Sequence, residues 1–146
     1  MTPRFARLTV LCIGIAATAG CPDNALLPPP GDELALGSWG GLNAGAIVQD
    51  SAAHIHIGCT LGDIPGRVPL DENNEFDVSG SYLLRAYPVA VGPTMPAQFT
   101  GSVRGGRLTF VVTVTDTIAN ETRVLGPVTV LYGRPAELGP CPICRR

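Results

Sequence analysis

Two stretches of this chain alternate apolar and polar residues one by one. In the first, Phe76, Val78, Gly80, Tyr82 and Leu84 interleave with Asp77, Ser79, Ser81, Leu83 and Arg85. In the second, Leu108, Phe110, Val112 and Val114 interleave with Thr109, Val111, Thr113 and Thr115. A period of two puts each set on opposite faces of a strand, which a helix of 3.6 residues per turn cannot do. One dry face and one wet face is the mark of an antiparallel sheet.

The remaining strands are read around these two. Residues 44–49 form a strand closed by Asp50-Ser51. Residues 54–59 form another, with Ile55, Ile57 and Cys59 on one face and His54, His56 and Gly58 on the other. Thr60-Leu61-Gly62-Asp63 reads as a turn, residues 67–70 as a short edge piece carrying Pro69, and Asp71-Glu72-Asn73-Asn74 as a second turn. A loop follows through Pro88, Gly92-Pro93 and Pro96. Phe99, Gly101 and Val103 mark the inner face of a further strand, and Arg104-Gly105-Gly106 is a hairpin turn. After a turn at Ala119-Asn120-Glu121, Val128, Val130 and Tyr132 form the last strand. The expected fold is all-β: a small antiparallel meander of about seven or eight strands, closed or partly closed into a barrel. A compact β-sandwich is the alternative. Inward glycines such as Gly80 and Gly101 suit tight bends at barrel corners. A barrel of this size is filled by its own side chains, so Trp39 is expected to plug one end rather than line a ligand mouth.

Ahead of this domain lies a secretory leader. Arg4 and Arg7 precede the apolar run Leu8 to Ala17, and small residues Thr18-Ala19-Gly20 precede Cys21. The run is about half of what a helix needs to cross a bilayer. TAGC resembles a bacterial lipobox, which makes residues 1–20 a signal peptide and Cys21 the lipidated first residue of the mature chain. Residues 21–33 then read as a tether, stiffened by Pro28-Pro29-Pro30, before a β domain over 34–141 and a tail over 142–146. The resulting localisation is the bacterial cell envelope, with the lipoprotein membrane-anchored and facing the periplasm or the cell exterior.

Composition excludes more than it selects. Arg4 and Arg7 leave with the leader, so eight basic residues, all Arg, face twelve Asp and Glu, a net charge of −4. An acidic domain without a basic stripe is no nucleic-acid binder. Asp71, Glu72, Glu75 and Asp77 cluster at a turn, where solubility explains them, and no calcium loop, serine-nucleophile signature or phosphate-cradling glycine loop occurs. No catalytic residue is assigned, and no cofactor is expected.

Two groups retain chemical interest. His54 and His56, two apart on a strand, project from one face and can together chelate Zn²⁺ or Cu²⁺, although solvated or packed polar-face residues explain them better and no metal site is favoured. Cys59, Cys141 and Cys144 leave one bridge and one odd thiol in an oxidising compartment. Cys141-Pro142-Ile143-Cys144 has redox-motif spacing, but no helix-forming sequence follows it.

The ordered series Trp39-Gly40-Gly41, CTLGDI from Cys59, Asp71, Phe76, GSY from Gly80, Gly92-Pro93, FTGSV, RLTFVVTVTD, Gly133 and LGPC ending at Cys141 resembles a family of small uncharacterised bacterial secreted proteins. The resemblance implies a small β domain and a disulfide between Cys59 and Cys141, with Cys144 the alternative partner. It implies no activity. Family members often carry a His shortly after the WGG, where Leu42-Asn43 stands here, and commonly a His or similar polar residue after the cysteine, where Leu61 stands.

The function expected from the sequence is therefore a lipid-anchored, non-enzymatic binding module whose partner is an envelope protein, a glycan or an apolar ligand. The alternative is a metal- or thiol-redox-handling lipoprotein using His54, His56 and the CPIC tail. Replacing the lipidated residue tests the anchor: Cys21→Ser is expected to move the protein from the membrane fraction to the soluble fraction. Unchanged fractionation refutes the anchor.

Overall fold

The computed structural model describes residues 26–84 and 92–141. The leader, Cys21 and Cys144 lie outside the described residues. Eight strands follow one another: β1 (Gly37–Gly41), β2 (Ala44–Val48), β3 (Ala52–Ile57), β4 (Thr60–Pro65), β5 (Glu75–Leu83), β6 (Met95–Arg104), β7 (Arg107–Asp116) and β8 (Glu121–Tyr132). Each pairs antiparallel with the next, and β8 returns to β1, so the meander is a closed barrel rather than a sandwich.

The alternation behaves as the sequence predicts. Along β7, Leu108, Phe110, Val112, Val114 and Asp116 are buried, and every residue between them is not. Trp39, Tyr82, Phe99 and Phe110 fill the interior together with Ile64, Leu108, Val112, Val114 and Val130. The short strands supply the small residues that make room for these rings: Ala44, Ala46 and Ala53 are buried. Within the ladders, glycines seat aromatic rings. Gly101 lies directly opposite Phe76, and a Cβ there would come within 2.7 Å of the Phe76 ring and 2.5 Å of the Thr109 carbonyl oxygen. Gly80, read from the sequence as a corner residue, sits as tightly against the Asp63 carbonyl and the Phe99 ring.

Four elements differ from the sequence reading. GSWGG forms β1, which carries no alternating signal because it places one large inward side chain among glycines. Thr60-Leu61-Gly62-Asp63 is not a turn but most of β4. The chain reverses instead at Gly58-Cys59, where Gly58 takes a left-handed φ of 57° that glycine adopts without steric penalty. Cys59 is therefore a hairpin-loop residue and does not share a strand face with Ile55. Residues 67–70 make no strand; Val68 is buried, and Glu33 and Pro69 form an isolated bridge. Lastly, β8 starts at Glu121 instead of near Val128. Its ladder with β7 shifts between Phe110 and Val112, which accommodates Gly126-Pro127 as a bulge. A proline inside a strand pattern splits it in the sequence reading, and a bulge is where a strand tolerates one.

Barrel closure rests on two register pairs, Trp39 with Tyr132 and Gly40 with Leu131. Trp39 and Tyr132 meet edge to face with ring centroids 5.0 Å apart. Trp39 Nε1 donates to the Ala35 carbonyl at 3.0 Å, and the Tyr132 hydroxyl donates to the Leu36 carbonyl at 3.0 Å. Trp39 thus seals the seam between first and last strands from a position that is 1% exposed.

Turn residues are fixed by side chains. Asp71 Oδ1 accepts from the backbone N–H of Asn73 and of Glu75, at 2.9 and 2.8 Å. These backbone hydrogen bonds hold its carboxyl below the usual range. The acidic cluster around it is turn architecture. At the far turn, buried Asp116 does the same for Ile118 and Ala119.

Packing of rings on glycines gives a direct test. Gly101→Val is expected to destabilise the barrel by about 2 kcal/mol through overpacking. Gly31→Ala, whose nearest neighbours stand 3.9 Å away, is expected to stay within about 0.5 kcal/mol of the parent. Denaturant midpoints of the two variants check this.

Candidate functional site on the outer barrel wall

Strands β2, β3 and β4 present their outward residues in rows. A two-residue loop after Ile57 pairs Ile57 with Thr60, and stepping back along that ladder pairs His54 with Asp63 and His56 with Leu61. On the other side Ile47 pairs with His54, and Gly45 with His56. Ile55, between the histidines, is buried in the core. The histidines therefore face outward, as the sequence predicts.

A hydrogen-bonded chain runs across this face. His54 Nδ1 lies 2.6 Å from Asp63 Oδ1, and His54 Nε2 lies 3.0 Å from His56 Nε2. An ionised carboxylate only accepts, so His54 donates its Nδ1–H to Asp63, and in the neutral ring this leaves a lone pair on Nε2. His56 then donates its Nε2–H to that lone pair. Its own Nδ1 is buried and has no hydrogen-bond partner. Burial holds the His56 pKa below its ordinary value of 6.5; His54 pushes it further down and Asp63 opposes the shift.

Beside the histidines the chain's C-terminal segment crosses the wall as a strap. Asn43 N–H donates to the Glu137 carbonyl at 2.9 Å, and Glu137 N–H donates to the Gly41 carbonyl at 3.0 Å. The strap lies so close that a Cβ on Gly40 would sit 2.1 Å from the Pro135 oxygen, and one on Gly45 2.5 Å from Ala136 Cβ. Beyond it, Cys141 meets Cys59 in a disulfide with a Cα–Cα distance of 5.4 Å. Closing that loop of 82 residues contributes on the order of 4 kcal/mol in the chain-entropy picture. The hairpin carrying Cys59 is itself pinned to the core: Thr60 Oγ1 donates to the Ile57 carbonyl and accepts from the Tyr82 hydroxyl, both at 2.7 Å. Burial pushes the Tyr82 pKa up to about 12, so this phenol remains protonated through the physiological range.

Strap and wall together enclose a cavity of about 340 Å³, whose lining includes Ile47, His54, His56, Arg134, Ala136 and Leu138. Ile47 is 50% and Leu138 38% exposed, so the apolar part of this lining is open to solvent.

Of the residues singled out from sequence, the structure brings His54 next to His56 and Cys59 next to Cys141. Cys141 is bridged and offers no thiolate, and Cys144 lies outside the described residues. Asp63 escaped the sequence reading because its segment was taken for a turn. The available signal was register: a hairpin turning at Gly58-Cys59 puts residue 63 opposite residue 54. No group of three or more His, Cys, Asp or Glu side chains placed to hold a metal ion occurs among the described residues. Comparison of the chain with protein-family models, curated proteins and solved structures finds no match.

His56 makes stability pH-dependent in a definite direction. Its folded pKa lies below the unfolded value, so the unfolded chain takes up the proton first. The His56 contribution is complete above about pH 6.5 and is lost as pH falls below it. Unfolding midpoints measured at pH 7.5 and 5.0 are expected to drop less for His56→Gln than for the parent. An equal drop in both proteins removes His56 as the cause.

Proposed function

We propose that this chain is a lipid-anchored envelope binding module that engages its partner through the strap cavity on its outer wall. The observation that carries the reading is the contrast between inside and outside. The barrel interior carries Trp39, Tyr82, Phe99 and Phe110, all at most 1% exposed, as expected of a small barrel filled by its own side chains. The strap cavity, in contrast, has a floor of β-strand and a lining that mixes apolar side chains with His54, His56 and Arg134. At about 340 Å³ it matches the small end of ligand sites, the size of one compact apolar group rather than a large molecule. Arg134 and the two imidazoles line it as hydrogen-bond donors or acceptors for the polar end of that group.

The supported partner is therefore an envelope molecule presenting a compact apolar group with an acidic or hydrogen-bonding end. The Cys21 anchor would hold the domain at the membrane surface, and residues 26–30, five residues with three prolines, fit a spacer.

Site-specific photo-crosslinking in intact cells tests this. A benzophenone side chain at position 47 is expected to give a discrete adduct that disappears when Cys59 and Cys141 are both replaced by Ser. The same probe at Thr113, on the outer face of β7, is expected to give none. Absence of an adduct at 47, or equal adducts at both positions, overturns the cavity as the binding face.

A further inference from the structure

We propose that His54 and His56 form a two-imidazole binding site for a divalent transition metal, Cu²⁺ before Zn²⁺, with Asp63 as the residue that orients it. The argument begins with register. Residues two apart on one strand face project side by side, and the β3 histidines bring their Nε2 atoms to 3.0 Å. Metal–imidazole bonds of about 2.0–2.1 Å place two nitrogens about 2.9 Å apart at a right angle and about 3.3 Å apart at a tetrahedral angle. The observed separation is that of the hydrogen bond between the rings, and small ring rotations reach either spacing. Cu²⁺ is the divalent first-row ion that nitrogen donors hold most tightly.

Asp63 supplies the outer support that ligating imidazoles need. By accepting the Nδ1–H of His54 at 2.6 Å it fixes the tautomer with a free Nε2 lone pair and raises the basicity of that ring. Asp63 is bonded to the other ring nitrogen of His54, so the site offers two imidazole nitrogens rather than three donors. His56 is complementary: its Nδ1 has no hydrogen-bond partner, so the bond to His54 is what holds its proton on Nε2. When a metal replaces the hydrogen bond between the rings, that proton relocates to Nδ1 and both rings remain neutral. The site is reachable, since the His54 side chain is 40% exposed and the Asp63 side chain 49%. Arg134 lines the same cavity with a positive charge, which opposes the cation itself and favours an anion as an accompanying ligand. The metal site shares the cavity of the partner reading, since His54, His56 and Arg134 line both, but Cu²⁺ binding by the isolated chain and crosslinking at position 47 fail separately.

The test uses purified full-length chain with its disulfide intact and Cu²⁺ added alone, followed by calorimetry and electron paramagnetic resonance. The expected result is saturation at one equivalent with hyperfine structure from imidazole nitrogen. His54→Ala and His56→Gln are each expected to weaken binding at least about tenfold, and Asp63→Asn about 10- to 100-fold with the stoichiometry retained. The metal-free unfolding midpoint of each variant, compared with the parent, separates loss of the site from loss of the fold. Absence of saturable binding, a sulfur-ligated signal, or binding indifferent to both histidine substitutions overturns the proposal.

Discussion

The edge-to-face contact of Trp39 with Tyr132 is the constraint on which the barrel depends. Seven of the eight strand junctions join consecutive strands through short connections or a loop. The eighth joins the ends of the domain, and only two register pairs span it. A sheet that fails to close keeps two open edges with unpaired backbone groups. The seam therefore concentrates side-chain reinforcement. Two large rings interlock, and each donates a hydrogen bond to the segment just before β1, at Ala35 and Leu36. The strap continues this closure after β8, crossing to Leu42 and ending at the disulfide with Cys59.

How well the sequence could be read follows from where each residue's constraint comes from. In β5 and β7 the constraint is local: one face is dry and one wet, and the alternation states it. In β1 it is tertiary. Gly40 is a glycine because Pro135 lies on it, and Gly45 because Ala136 does. Glycines chosen by a remote strap look like loop glycines when read along the chain. Gly62 deceived in the same way. A Cβ there would meet the Tyr82 ring at 2.3 Å, so it is a strand residue under an aromatic, not a turn residue. Pro127 hid half of β8 because its bulge shows only against β7. The disulfide partners followed from a resemblance, whereas the place of Cys59 in a hairpin loop did not.

The candidate site was half legible for the same reason. His54 and His56 announce a shared face by their spacing alone. Asp63 joins them only through the hairpin register, and the cavity exists only because the strap is drawn across the wall. The outward surface of β2, β3 and β4 is thus an assembled feature. The strands supply its floor, the C-terminal segment its roof, and the disulfide holds the two together. A chemistry that neither strand nor tail contains becomes possible where they meet.

A meander closed by its two ends has a consequence for timing. Every junction from β1 to β8 can form as the chain grows, but Trp39 finds Tyr132 only when residue 132 is present, and Cys59 finds Cys141 later still. Until then the growing sheet is an open ribbon whose apolar face has nothing to close against. A chain that stops before residue 132 therefore lacks both the aromatic seam and the disulfide that tie its two ends together.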